Sequence, residues 1–289
     1  MHAKQITAAC SAVALMGSVP VVVKLSQLNV WTIGILRVAV GVAFLGAFCL
    51  VQGRAQWQVT RRDWPLLVLC GLLFGAHWLT YFMAIQAATP SIAVVGLSSY
   101  GLNLALIGWA VYGERITRLA WIGLLLSLIG VFIVIPRFDL RDTLTCGFAV
   151  GLLSGLFYAF VPIIHKRLLH IRAHERTLWQ FVFAAPIFIP FVTRVDLHVS
   201  TSGLLATVYL LLFGTILAHT LWTYVSGVLR SVALGALSYA TVPVAMVIST
   251  LLAQESFTGS LVVGSLLIIA GNLVVLYQRA PGTAVPVAD

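Results

Sequence analysis

The sequence predicts an all-α membrane protein: ten transmembrane helices, arranged as two inverted five-helix repeats around a central cavity. Three observations point there. Of the 289 residues, 61% are hydrophobic and only 9% are charged, with a mean hydropathy of +1.04, whereas a soluble domain carries about 25% charged residues. Apolar runs near the length of about 20 residues that crosses a hydrocarbon core follow one another along the chain. The second half also repeats short patterns of the first, at offsets of 139 to 142 residues.

Ten segments can be laid down, at about 5–25, 31–51, 64–87, 91–112, 118–135, 146–166, 177–193, 203–226, 231–253 and 258–278. The first has Lys4 ahead of an apolar run and resembles a signal peptide; with so many apolar segments behind it, a retained membrane helix is expected. The third and fourth occupy Trp64 to Gly113. This stretch has no Asp, Glu, Lys or Arg and is interrupted only by Ala87-Ala88-Thr89-Pro90-Ser91, so it reads as a membrane hairpin. The seventh is the shortest and contains Pro186 and Pro190. The fifth and tenth, Gly-rich and nearly free of polar groups apart from Ser127, Ser265 and Asn272, are expected at the periphery. The stretch 281–289, from Pro281 onward, is expected to be a disordered tail.

The formal charge of +9 does not point to nucleic acid, because the basic residues sit in short loops between apolar runs. With the N-terminus in the cytoplasm, the inner side carries Lys4, Arg54, Arg61, Arg62, Arg115, Arg118, Lys166, Arg167, Arg172, Arg176, Arg230 and Arg279, which is 12 of 17. Arg137, Arg141 and Arg194 fall outside, with Lys24 and Arg37 nearer the outer surface. The positive-inside rule therefore puts both termini in the cytoplasm of a multi-pass protein in the inner (plasma) membrane. Cys10, Cys49, Cys70 and Cys146 have no paired spacing and read as packing residues. No metal or cofactor is expected, and a monomer or weak dimer is.

Leu73-Phe74-Gly75 recurs as Leu212-Phe213-Gly214, and Ser91, Ala93, Leu97 and Ser98 recur as Ser231, Ala233, Leu237 and Ser238. Glu114, Gly123 and Gly130 match Glu255, Gly264 and Gly271, while Pro20 and Lys24 match Pro162 and Lys166. The units are 1–140 and 141–280. Five crossings each insert the second copy upside down, the architecture of carriers that alternate between two openings. A short loop after each third helix, Gly113-Glu114 closing the fourth helix, Gln254-Glu255 closing the ninth, and Gly17, Ser18 and Lys24 in the first resemble the drug/metabolite transporter superfamily, in its ten-helix exporter branch. Within that branch, the helix carrying His77, Trp78 and Tyr81 is similar to bacterial exporters of aromatic amino acids. The resemblance implies export of a small-molecule substrate across a lipid bilayer.

The residues give that expectation a place. Phe74, His77, Trp78 and Tyr81 fall at i, i+3, i+4 and i+7, one aromatic and polar face on an aliphatic rod. Ser99, Tyr100 and Asn103 follow in the fourth helix. Thr215, His219, Trp222, Thr223 and Ser226 form a matching stripe in the eighth, and Tyr158 and Tyr239 come from the sixth and ninth. The expected substrate site is His77, Trp78, Tyr81, Ser99, Tyr100, Asn103, Tyr158, His219, Trp222 and Tyr239. Polar side chains in membrane helices also simply join helices, at about 0.6 kcal/mol per hydrogen bond.

Histidine is the only titratable type expected near the centre, while Lys24 and Arg37 are expected to snorkel outward, with attraction of a carboxylate as the alternative. Embedded carboxylates are absent, so the chamber is expected to be uncharged and suited to a zwitterion such as an aromatic amino acid, moving by facilitated diffusion. Proton-coupled export of other metabolites or drugs is the alternative. An intramembrane serine protease is a distant one, because Gly96-Leu97-Ser98-Ser99 lacks the glycine after the serine; no enzyme is expected. Gly17, Pro20, Pro162 and Pro243 are the expected hinges.

Overall fold

The computed structural model describes residues 3–53, 58–134, 142–256 and 259–277, and among them every regular element is helical. The tail 281–289, Arg54, Arg137, Arg141 and Arg279 lie outside the described residues, as do the side chains of Ser265 and Asn272. The elements are α1 (Ala3–Leu25), α2 (Val30–Val51), α3 (Trp64–Ala87), α4 (Pro90–Leu97), α5 (Ser99–Tyr112), α6 (Arg118–Val134) and α7 (Thr143–Arg167). Then come α8 (Ala173–Phe188), a 3-10 extension (Ile189–Arg194), α9 (Thr201–Tyr209), a π-helical stretch (Leu210–Leu217) and α10 (Ala218–Val228). The chain continues through α11 (Ser231–Tyr239), α12 (Thr241–Leu252) and α13 (Gly259–Tyr277).

Among the described residues, eight helical stretches are long and apolar enough to cross a membrane: Lys4–Leu25, Val30–Val51, Trp64–Ala87, Pro90–Tyr112, Thr143–Arg167, Ala173–Arg194, Thr201–Val228 and Ser231–Leu252. Arg118–Ile133 and Val262–Val275 are shorter apolar helices. Local chemistry sets where they start. The Asn29, Thr89, Asp142 and Ser200 side chains accept from the backbone N–H of Thr32, Ile92, Leu144 and Gly203, satisfying donors that the first helical turn leaves free. Gly113 ends α5 in the left-handed region at φ +63°, which glycine adopts without strain.

Three interruptions were not legible as such. The fourth expected helix breaks at Ser98, whose hydroxyl donates to the Val95 carbonyl, a back-bond that bends helices. The ninth breaks at Ala240, three residues before Pro243, which has no N–H to donate to the turn behind it. Pro243 therefore sits in the first turn of α12 rather than inside a continuous segment. The eighth is wound as a π-helix in its middle third. Pro20 and Pro162 lie within continuous helices. Gly17 is a contact point: a Cβ there would lie 2.8 Å from Val244 Cβ and 3.1 Å from the Thr241 carbonyl.

Small residues set the crossings. α3 packs along α7 and α8, with a Cβ at Gly71 meeting Phe183 backbone at 2.8 Å and one at Gly75 meeting the Ala184 carbonyl at 3.0 Å. α4 crosses α7 where Gly96 faces Gly151, and α5 crosses α11 where Gly101 faces Gly235. α6 and α13 pack on one another through Gly123 with Gly271 and Gly130 with Gly264, and the Ser127 hydroxyl donates to the Ile268 carbonyl at 3.3 Å. None of the described side chains of this pair lines the central cavity, as expected of peripheral helices. Leu125, Ile129, Leu205, Leu251 and Leu273 are exposed on the outer surface, the apolar covering that lipid requires.

Candidate functional site

The rings meet where the bundle is most deeply buried. Phe74 and His77 project from the same face of α3, with Trp78 and Tyr81 beside them, and all four are buried. His77 stacks on Tyr158 of α7 at 4.2 Å between centroids, and Tyr158 in turn stacks on Tyr100 of α5 at 4.9 Å. Trp222 of α10 reaches Tyr100 at 6.2 Å, and His219 lies edge-on to Trp78 at 5.3 Å. The expected residues His77, Trp78, Tyr81, Tyr100, Tyr158, His219 and Trp222 thus come together, and they line one cavity with Arg37, Ser98, Ser238, Thr241 and the apolar Met16, Val19, Val94 and Leu97.

Three expected residues stand elsewhere. Ser99 donates to the Leu152 carbonyl at 3.3 Å on the far side of its helix. Asn103, half-buried one turn on, does not line the cavity. Tyr239 is fully buried against Gly101, outside the cavity wall. Ser98 and Ser238, the matched pair one position before Ser99 and Tyr239, take their places. At Ser99 the physical reason is the break at Ser98, which turns the next residue off the face that a continuous helix would present; Tyr239, still inside α11, packs on Gly101 of α5 instead.

The larger correction is Arg37. It does not snorkel: it is 1% exposed and spans the cavity wall. Its Nε donates to Thr215 Oγ1 at 2.8 Å and its Nη2 to the Gly214 carbonyl at 2.8 Å, with His219 Nε2 at 3.4 Å. The guanidinium lies over the Trp78 ring at 4.1 Å, a cation–π contact of the desolvated kind. The π-helical stretch makes this possible. The Ala218 N–H bonds to the carbonyls of Phe213 and Thr215, and the Thr215 hydroxyl donates five residues back to Leu210. The Gly214 carbonyl in this stretch accepts from Arg37. The chamber is therefore charged, contrary to the expectation of an uncharged one. The signal was available: a lone arginine inside a 22-residue apolar run is costly in lipid and belongs to a site by default.

The cavity is narrow, about 50 Å³. A void of about 150 Å³ holds a benzene, so this conformation has room for a water or a carboxylate-sized group beside the rings and no room for an aromatic amino acid. A second cleft of about 570 Å³ opens at the Lys24 end of α1, between Ser18, Val22, Lys24, Tyr209, Ile248 and Leu252. α1 lines both spaces, with Met16 and Val19 on the cavity and Ser18 and Val22 on the cleft.

His77 Nδ1 is 2.7 Å from the Ser154 hydroxyl, which donates to the His77 carbonyl. Ser98, the residue a protease reading would need, donates to its own helix. No hydrogen bond joins it to His219 among the described residues.

Similarity to known proteins agrees with a transport site. A probable amino-acid metabolite efflux pump of Salmonella typhimurium is 25% identical over 243 residues, covering 78% of this chain and 81% of that one. Its Escherichia coli namesake is 24% identical over 242 residues, with 78% and 81% covered. A solved crystal structure shares the fold, with a TM-score of 0.76 at 20% identity over 95% of this chain and 96% of that one. The EamA-like transporter family model matches twice, at residues 3–135 and 145–277, and with nearly the whole chain so matched, this protein belongs to the EamA-like transporter family.

Proposed function

We propose that the chain exports small zwitterionic metabolites, amino acids with aromatic side chains among them, from the cytoplasm across the inner membrane by alternating access. In this reading the ten apolar segments all cross the bilayer. The units 1–140 and 141–280 are inserted in opposite senses, both termini are cytoplasmic, and the Lys24 end faces outward. The observation that carries the reading is the position of the cavity. Its walls come from both matched units, Trp78 and Tyr100 from the first and Tyr158 and Trp222 from the second, so a rocking motion of the units changes the access to it. The names of the relatives support amino acids as the class.

Facilitated movement down a gradient is the simpler mechanism, because both cavity histidines are engaged with protein partners, His77 with Ser154 and His219 with Arg37, and no embedded acid stands ready to exchange a proton. The test is counterflow in proteoliposomes with radiolabelled Phe, Trp, Leu and Thr, with and without an imposed pH gradient. Exchange of at least the aromatic members, unaffected by the gradient, is expected. Exchange of none of the four, while another metabolite class exchanges, defeats the amino-acid reading.

A further inference from the structure

We propose that Arg37 is the carboxylate anchor of the transport site, so that the substrates are acids or zwitterions and amines lacking a carboxylate are rejected; the proposal rests on the transport reading above. A buried cation in a membrane bundle needs a counter-charge. Arg37 has none: Asp63, Glu114, Asp142, Glu175, Asp196 and Glu255, the acids among the described residues, all lie at or near helix ends, and its partners are a hydroxyl, a carbonyl and an imidazole. Its Nη1 is buried without any hydrogen-bond partner, while the side chain lines the cavity. The guanidinium presents donors in a planar fork that matches a carboxylate. On the same cavity wall, the Trp222 indole N–H and the Tyr100 hydroxyl are also buried without a hydrogen-bond partner among the described residues. The 50 Å³ of free space fits a carboxylate; the rest of a substrate requires the walls to part.

The test uses the full chain in proteoliposomes and three probes of one shape: phenylalanine, 3-phenylpropionate without the amine, and phenethylamine without the carboxylate. For the wild type, competition in counterflow by the two carboxylates is expected to exceed that of phenethylamine roughly tenfold or more, as for loss of a charged hydrogen bond. Arg37→Gln is expected to remove that preference, and Arg37→Lys to keep part of it. A melting-temperature rise with 3-phenylpropionate in the detergent-purified wild type, absent in Arg37→Gln, reads binding without transport. Equal competition by phenethylamine, or a carboxylate preference that survives in Arg37→Gln, overturns the anchor. Failure of all four amino acids in counterflow while 3-phenylpropionate still stabilises the wild type through Arg37 overturns only the amino-acid reading.

A separate observation carries a second inference. At one end of the bundle Lys166 Nζ donates to Glu114 at 2.6 Å and to the Ser231 hydroxyl at 2.8 Å, and the Glu114 carboxylate accepts from the Ser231 N–H at 2.8 Å, pinning α5, α7 and the start of α11 together. The repeat places the same three residue types at the other end as Lys24, Glu255 and Ser91, offset by 142, 141 and 140 residues. There no ion pair or hydrogen bond joins the trio among the described residues. Lys24 is exposed on the open cleft with no acidic partner among the described residues, and Glu255 Oε1 is buried with no partner. We infer that Lys24, Glu255 and Ser91 form the reciprocal latch, closed when the Glu114 latch opens.

Labelling of a cysteine at Val22→Cys in the cleft by a membrane-impermeant maleimide, read against the native chain, reports which latch holds. Glu114→Gln is expected to lower labelling several-fold by freeing the opposite state, and Glu255→Gln to raise it or leave it at its maximum while slowing counterflow. Unchanged counterflow in both Glu255→Gln and Lys24→Gln, with labelling indifferent to Glu114→Gln, overturns the latch.

Discussion

The two ends of the bundle are built from matched residues and packed differently. At the Glu114 end, α3 is sealed against α8: Gly71 and Gly75 admit Phe183 and Ala184 at backbone distance. Below them His165 Nε2 meets Gln180 Oε1 at 2.7 Å, and Arg176 Nη1 donates to the His165 carbonyl at 2.9 Å. At the Lys24 end, the counterpart of Gly75 is Gly214, whose Cβ would meet only the flexible tips of Leu210 and Val19, at 3.1 and 3.2 Å, and a cleft of about 570 Å³ stands open. One sequence pattern thus supports two packings that differ in how tightly the third helix of each unit is held. The alternating access proposed above needs that: two arrangements close in free energy, one of them populated at each end.

Four measurements break or sharpen this contrast, beginning with the largest effect. Gly75→Leu is expected to cost more than about 3 kcal/mol, because backbone rather than side chain must give way, while Gly214→Ala stays within about 1 kcal/mol; thermal melts of the detergent-purified protein separate them. Similar losses at the two positions would mean that the ends are equally tight. Next, Trp78→Ala should weaken phenylalanine counterflow about three- to tenfold, as expected for a lost aromatic stack, and threonine counterflow less; equal losses across the panel count against stacking.

The third concerns how each end terminates. Gly113 takes φ +63° freely, whereas Gln254 holds φ +55° at the corresponding turn, a left-handed geometry costing a side chain roughly 1–2 kcal/mol. Gln254→Gly is therefore expected to stabilise by about 1 kcal/mol, and Gly113→Gln to destabilise by a similar amount. No gain from Gln254→Gly would show that the strain is absent.

The smallest effect is a pH dependence at the Glu114 end. Burial pushes the Asp63 carboxyl up, but the Thr60 N–H at 2.7 Å, the Thr60 hydroxyl at 2.8 Å and His170 at 3.1 Å outweigh it and hold the group below its ordinary value of 3.8. A carboxyl depressed in the folded state contributes stability that is complete above the unfolded value, about 3.9, and is lost as pH falls through the lower folded one. The wild-type melting temperature should fall between pH 5 and pH 3 more than that of Asp63→Asn; parallel curves would remove Asp63 from the account.

Much of this was readable from the residues, for physical reasons that differ by feature. Eight of the ten expected spans were legible because lipid excludes charge over a fixed thickness, and the aromatic face of α3 because helical periodicity alone aligns His77, Trp78 and Tyr81. The break at Ser98, which no periodicity marks, hid Ser98 and put Ser99 in the site, while Tyr239, the last residue of α11, packs on Gly101 and leaves the wall to Ser238. Arg37 was assigned to the surface because depth was judged from distance along α2. What holds it in the interior is a pair of acceptors in the π-wound stretch of the eighth segment, the Thr215 hydroxyl and the Gly214 carbonyl, the latter 177 residues away.

By itself, the sequence determined that this chain is a helical membrane protein of duplicated pattern with a polar, aromatic interior, since composition and period are properties of single segments in a given solvent. Only the tertiary structure decided that the interior holds an unpaired guanidinium, that the space beside it is small, and that one of two matched ends is latched. Those depend on how separate helices kink and meet, and a backbone carbonyl or an empty latch has no signature in the order of the residues.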